Sequence, residues 1–222
     1  MLVPLLIAAV VGYLLGALPF GYLVARAKGV NIFEVGSKNP GATNVRRVLG
    51  HGPGNLVLFL DAIKGAAAAG LFPLVHLVGP QYCPFDAGGL EVLQTVGLVA
   101  AILGHSFSCF TGFKGGKSVA TGAGGFLVLF PVGMGIGLAV FAVSVAIGRM
   151  ISLGSMLGAA TVAIAAVVLQ RSVLVTSVAA VVALFVILRH RANISRILAG
   201  TESKIGQKKS DDASKTPGAP HS

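Results

Sequence analysis

Charge is scarce in this chain. Only 11% of its 222 residues are Asp, Glu, Lys or Arg, and seven of them are acidic. A water-soluble domain carries roughly 25% charged residues, so too little polar side chain is present to cover a globule in water. Acidic partners are nearly absent beside the serines and histidines, and no Ser-His-Asp arrangement is evident. The five histidines are scattered, no two of them with a carboxylate at ligand spacing, and neither Cys83 nor Cys109 has a metal-ligand neighbourhood. Neither a metal nor any other cofactor is expected. Aromatics do not interleave with the basic residues, which argues against nucleic acid as a partner despite a formal net charge of +10. The first apolar run has no basic stretch before it, and positive residues follow it instead. It is expected to be a retained span and not a cleaved signal peptide. No internal repeat is visible.

Apolar and small residues are abundant instead. The chain is 55% hydrophobic with a mean hydropathy of +0.86. Its 31 glycines suit helices whose backbones approach closely inside a bilayer. This composition predicts an all-α, polytopic membrane protein. Apolar segments fall at 2–25, 56–78, 90–104, 119–131, 133–148, 153–169 and 173–188. Pro131 with Gly133, Gly135 and Gly137 predicts a break between the fourth and fifth, giving seven transmembrane helices. Arg26, Lys28, Lys38, Arg46 and Arg47 lie in the first loop, Lys114 and Lys117 in the third, and Arg149 follows the fifth segment. Arg189, Arg191 and Arg196 follow the last, whereas the second loop holds only Asp86 and Glu91. Seven spans place nearly all of these basic residues in the cytoplasm, with the N-terminus outside and the C-terminus inside. Cys83 and Cys109 then fall on opposite faces, and no disulfide is expected. Residues 1–205 read as one transmembrane domain, and 206–222 as a disordered polar tail rich in Pro, Gly and Ser.

Polarity is concentrated in a few segments on the predicted cytoplasmic side. In Gly36-Ser-Lys-Asn-Pro-Gly-Ala-Thr-Asn-Val-Arg-Arg47, small residues such as Gly41 expose backbone amides. Ser37, Asn39, Thr43 and Asn44 add neutral donors there, and Arg46 and Arg47 add charge. That is the inventory of a phosphate cradle; it is equally that of a polar loop with topology-setting arginines. The second segment, Gly104 to Thr121, contains Phe113-Lys-Gly-Gly-Lys-Ser118. It misses the P-loop pattern, because Thr111 stands where a glycine is needed and no strand precedes it. Gly115 and Gly116 between Lys114 and Lys117 still make a glycine-rich anion loop opening a helix. The third segment pairs Ser152 with Ser155, and the fourth pairs His190 with Asn193, both at i, i+3. Each pair reads as functional, or else as packing serines and stop-transfer neighbours. Asp61 and Lys64, one turn apart inside an apolar segment, read as a functional pair or as a structural neutralisation.

Together these segments resemble the acyl-phosphate-dependent glycerol-3-phosphate acyltransferases of bacteria, the PlsY type. The matching pieces are GSKNPGATNVRR at 36–47, DAIKG at 61–65, GHSFSCFTGFKGGKSVAT at 104–121, SLGS at 152–155 and HRANISRILAGTESK at 190–204. They follow the family's order over most of the chain; Ser108 stands where many members have proline. The resemblance implies seven spans with the N-terminus out. It implies acyl transfer from acyl phosphate to the sn-1 hydroxyl of glycerol 3-phosphate, giving lysophosphatidic acid and inorganic phosphate, the first step of phospholipid synthesis. It places the site at the cytoplasmic face of the cell inner membrane, among membrane lipid, and Ser37 and Arg47 in a phosphate pocket.

Two anionic substrates must converge on such a site. Ser37, Arg47, Lys117 and Lys114 are the candidate phosphate clamps, with Asn39, Gly41, Thr43, Asn44, Gly115 and Gly116 completing the substrate-binding loops. Asn193, His190 and Ser152 or Ser155 can orient the glycerol or stabilise an oxyanion. His190 is the candidate base, with His105 in reserve; alternatively a substrate phosphate oxygen takes the hydroxyl proton. The competing reading is a membrane transporter of an anionic organic phosphate, which would place polarity near the bilayer midplane.

Overall fold

A computed structural model describes residues 1–207, and within them all regular structure is helical. The polar tail expected from Gly206 therefore lies outside the described residues, apart from Gly206 and Gln207. Ten α-helices follow in order: α1 (Leu2–Ala17), α2 (Phe20–Arg26), α3 (Ala42–Leu49), α4 (His51–Val78), α5 (Ala87–Ser106), α6 (Val119–Leu129), α7 (Pro131–Gly148), α8 (Ile151–Val168), α9 (Val173–Arg189) and α10 (Arg191–Leu198). Every apolar segment read from the sequence is helical, the first of them as two helices, α1 and α2. The break at Pro131 is real: α6 ends at Leu129, and Pro131 opens α7 at the first helical position, where its missing N–H costs nothing.

Among the described residues, five segments are long and apolar enough to cross a membrane: Leu2–Arg26, His51–Val78, Ala87–Thr111, Pro131–Gly148 and Ile151–Val168. A sixth is reached if α9 and α10, bent by 59° at His190, count as one span. The remaining apolar helix, α6, has 11 residues. It rises about 16 Å, roughly half the hydrocarbon thickness of a bilayer, so length alone does not make it a span. Large apolar side chains such as Leu77, Ile147 and Val173 point outward, as they do where the solvent is lipid.

Glycines set the helix spacing. A Cβ on Gly65 of α4 would stand 1.9 Å from the Thr121 carbonyl oxygen of α6, and one on Gly124 of α6 would stand 1.9 Å from the Ala62 carbonyl oxygen of α4. Those two backbones touch because neither carries a side chain there. The larger core joins α5, α6, α8 and α9 through Leu98, Ile102, Phe126, Val162 and Val175. A smaller one, of Ala25, Ile32, Val45 and Val57, fastens α2, α3 and their loop onto α4.

The interruption between α1 and α2 at Leu18 and Pro19 frees two carbonyls. Ser108 Oγ donates to Ala17 O at 2.6 Å, and Lys64 Nζ donates to Leu18 O at 2.8 Å. Buried helix-end carbonyls are thus met by side chains from other helices. Cys83 and Cys109 are both unpaired thiols. The 20 residues of α5, about 30 Å of helix, separate them.

Candidate functional site

At one end of the bundle the polar segments close around a cavity of about 310 Å³, within the range of small-molecule sites. It collects Ser37, Asn39, Gly41, Thr43, Asn44 and Arg47 from the loop before α3 and from α3 itself. Lys117 enters from the loop before α6, His105 from the end of α5, Ser152 and Ser155 from the start of α8, and His190 and Asn193 from the α9–α10 bend. Its lining carries five cationic side chains, Arg46, Arg47, Lys117, Arg196 and Lys204, against the carboxylates of Asp61 and Glu202. Both carboxylates already have a cationic neighbour, Lys64 and Arg196 respectively. Arg47 has no ion-pair partner among the described residues. The cavity is an anion trap with unspent positive charge. Its remaining wall, with Leu58, Val119, Phe141 and Ile151, is apolar.

The first loop is shaped by its own side chains. Asn44 is buried and closes the loop: its Oδ1 accepts from Ser37 N at 2.8 Å, and its Nδ2 donates to Val35 O at 3.1 Å. Asn39 Oδ1 accepts from Gly41 N at 3.0 Å, a local Asx turn. The Asn44 amide and the Asn39 oxygen are therefore spent on holding the loop, whereas Ser37, Thr43 and Arg47 stay exposed to the cavity. Gly21 of α2 allows the loop to sit close, because a Cβ there would meet Pro40 O at 1.6 Å.

The opposite wall is organised by Glu202, a buried carboxylate that follows α10. Its Oε1 accepts from Ser152 Oγ at 2.7 Å and Asn193 Nδ2 at 2.6 Å, and its Oε2 accepts from Arg196 Nε at 2.7 Å. Those bonds hold the Glu202 carboxyl below the ordinary range even though burial opposes ionisation. With its amide nitrogen committed to Glu202, Asn193 turns Oδ1 to Lys117 Nζ. Burial, together with the nearby Arg196, Arg189 and Arg47, brings Lys117 down to about 8, although Glu202 favours its charge. Ser155 Oγ donates within its own helix to Ile151 O at 2.8 Å.

His190 is buried, and its Nδ1 lies 2.7 Å from Val186 O. A carbonyl only accepts, so Nδ1 carries the proton and Nε2 is left bare. Burial, reinforced by the Lys117 charge, lowers His190 to about 4. It is a neutral imidazole at physiological pH and a feeble base.

Three of the expected substrate-binding residues lie elsewhere. Lys114, Gly115 and Gly116 line a separate, smaller cavity of about 20 Å³. The glycine carbonyls accept from Arg189 Nη2, at 3.2 Å for Gly115 and 2.7 Å for Gly116, and Gly116 N donates to His105 O at 3.1 Å. The loop's polar groups are consumed in fixing it, and of its two lysines only Lys117 faces the main cavity. Glu202, Arg196 and the strap 202–206 join the site without being among the candidate site residues expected from the sequence. That strap is pinned by Ile205 N to Arg149 O at 2.7 Å and by Arg149 Nη2 to Ile205 O at 2.6 Å. An acidic residue among basic ones, in a chain with so few acids, was the available signal for Glu202. The expected dearth of acids near serines and histidines is reversed in space: Glu202 bonds Ser152, and Asp61 Oδ1 lies 3.5 Å from His105 Nδ1.

The family model for glycerol-3-phosphate acyltransferase matches residues 6–200. The glycerol-3-phosphate acyltransferase of Trichormus variabilis is 49% identical over 208 residues, 90% of this chain and 91% of that protein. The one from Desulforamulus reducens is 43% identical over 200 residues, 89% and 93% respectively. Among solved structures, an integral membrane glycerol 3-phosphate acyltransferase, PlsY (YgiH), in its glycerol 3-phosphate form superposes with a TM-score of 0.80 at 37% identity, covering 91% of this chain and 96% of the other. Its lysophosphatidic acid form superposes with a TM-score of 0.77 at 36% identity, covering 91% and 95%. The family model covers most of the chain and these relatives match it nearly end to end, so the chain belongs to the glycerol-3-phosphate acyltransferase family of integral membrane proteins.

Proposed function

We propose that this protein transfers an acyl group from acyl phosphate to the sn-1 hydroxyl of glycerol 3-phosphate, releasing lysophosphatidic acid and inorganic phosphate. The carrying observation is the convergence of Arg47, Lys117 and Ser37 on one cavity that also has an apolar wall, with Leu58, Val119, Phe141 and Ile151. A phosphate needs the first wall and an acyl chain the second. Relatives solved with glycerol 3-phosphate and with lysophosphatidic acid support the same substrate and product.

In this reading Arg47 and Lys117, helped by Ser37, hold the substrate phosphates and bring the glycerol hydroxyl to the acyl carbonyl carbon. Positioning of that kind supplies much of the rate. The hydroxyl oxygen forms the new C–O bond as the carbonyl carbon–phosphate oxygen bond breaks. The hydroxyl proton passes to an oxygen of the departing phosphate, so atoms and charge balance without a protein base. The low proton affinity of His190 supports this route. Asn193, held between Glu202 and Lys117, orients the glycerol.

The chain is read as seven spans, with the site at the cytoplasmic face of the inner membrane. Arg171, in the α8–α9 turn, stacks over the Phe130 ring at 5.4 Å and pairs with Glu91 near the start of α5 at 3.2 Å. That contact supports placing the end of α6 opposite the cavity, so that short α6 together with its loop serves as the fourth passage. Purified protein given acyl phosphate and glycerol 3-phosphate should release inorganic phosphate in step with lysophosphatidic acid. No release, with glycerol 3-phosphate uptake by proteoliposomes, would replace the reading with transport.

A further inference from the structure

Behind the cavity lies a buried cluster to which acyl transfer as described assigns no task. Asp61 of α4 is 2% exposed and Lys64 is 3% exposed. Lys64 Nζ sits 2.8 Å from Asp61 Oδ1 but directs a hydrogen bond to Leu18 O. Asp61 Oδ1 accepts no aligned hydrogen bond among the described residues, and on its other side His105 Nδ1 approaches to 3.5 Å. A carboxylate 3.5 Å from one imidazole nitrogen favours by its charge the tautomer protonated there, and so biases how the ring sits.

The far edge of that ring bears on the glycine loop. A Cβ on Gly116 would stand 2.1 Å from His105 Nε2, so only a glycine lets the ring and the loop lie together. Gly116 is held on its other sides as well: its N–H donates to His105 O, and its carbonyl accepts from Arg189 at 2.7 Å and from Ser106 Oγ at 3.3 Å. The next residue is Lys117, whose ammonium reaches Asn193 across the main cavity. Asp61 and His105 line both the main cavity and the small one behind it, and so form the wall between them.

We propose that Asp61 is a positioning residue for acyl transfer, holding the His105 imidazole against Gly116 and thereby setting where the Lys117 ammonium meets substrate phosphate. The inference rests on the reading of the main cavity as a phosphate site. In this role Asp61 acts through His105 and the loop and not through a contact of its own with substrate. The competing account is that Asp61 merely neutralises Lys64 inside the membrane, and the two predict different couplings.

The test is a pair of double-mutant cycles on the purified full-length protein, with unfolding temperature measured for every variant. D61N alone strands the Lys64 ammonium and risks misfolding, so D61N is compared within K64M and within H105Q backgrounds. In K64M the D61N change should still raise KM for glycerol 3-phosphate about tenfold while kcat moves less than about threefold, as expected for lost ground-state positioning. In H105Q it should add less than about twofold, because partners in one network are non-additive. No effect of D61N within K64M would overturn the proposal and leave Asp61 a neutralising charge. Its full effect within H105Q, or a collapse of kcat in place of a KM rise, would overturn it as well. Wild-type protein that neither releases phosphate nor forms lysophosphatidic acid would overturn the functional reading and this inference together, whereas normal wild-type turnover with a failed cycle overturns this inference alone.

Discussion

Ser152 at the start of α8 donates to Glu202 Oε1 at 2.7 Å, across 50 residues of sequence. The same oxygen takes Asn193 and the other takes Arg196. One carboxylate therefore ties α8, α10 and the strap into the wall of the cavity.

Removing that carboxylate should cost the fold more than the chemistry alone requires. Glu202→Ala leaves the Ser152 and Asn193 donors buried and Arg196 unpaired. Arg196 is partly exposed and is left to water, whereas each buried donor left without an acceptor costs about 1–3 kcal/mol. Thermal unfolding in detergent should fall markedly, and Glu202→Gln, which keeps an acceptor, should recover part of it. Equal stability of Glu202→Ala and wild type would contradict the role.

Arg47→Ala should leave stability nearly unchanged, since Arg47 supports no ion pair among the described residues. The value of kcat/KM should fall roughly 10- to 150-fold, the equivalent of a charged hydrogen bond of about 1.5–3 kcal/mol. Arg47→Lys should restore only part, because an ammonium cannot grip phosphate in two places. An unchanged kcat/KM would remove Arg47 from the phosphate site.

The alkaline side of the pH profile belongs to Lys117. Its proton leaves at about 8 in the free protein, and kcat/KM reports free-enzyme ionisations. The charged form binds anions, so kcat/KM should decline above pH 8. In Lys117→Arg, whatever activity remains should lack that decline, because guanidinium stays charged. A limb that survives the substitution belongs to another group.

His190 predicts an acid-sensitive fold. Its folded value of about 4 lies below the ordinary 6.5. Between these values the unfolded chain binds a proton that the folded one refuses, so stability is complete above about pH 6.5 and declines as pH falls toward 4. Between pH 7 and pH 5 this single group accounts for about 2 kcal/mol. His190→Gln should flatten that part of the stability–pH curve, and an unaltered slope would refute the assignment.

Gly65→Val should destabilise by about 1–3 kcal/mol through overpacking. The Thr121 carbonyl 1.9 Å from the ideal Cβ position is backbone and has no rotamer by which to yield. Gly52→Ala, with open space around its Cβ position, is the control and should be nearly neutral.

The sequence by itself determined the membrane class, the seven apolar segments and the break at Pro131, because scarce charge, long apolar runs and proline are local properties of the chain. Ser37, Arg47, Lys117, His190 and Asn193 were also legible, since polar residues stand out against an apolar background. What each of them contacts was decided only by tertiary structure. Asn44 and Ser155 look like donors in sequence, but their hydrogen bonds go to their own backbone surroundings. Lys114 and Lys117 are equivalent in the motif, yet the chain path fixed by Arg189 and His105 turns one of them away from the main cavity. Glu202 became the organiser of a wall, and Asp61 a neighbour of His105, through contacts spanning 50 and 44 positions respectively. Hydrophobic patterning carries no information about such pairings. They follow from glycine-to-backbone contacts that fix how close the helices lie, and hence which distant polar groups share one buried space.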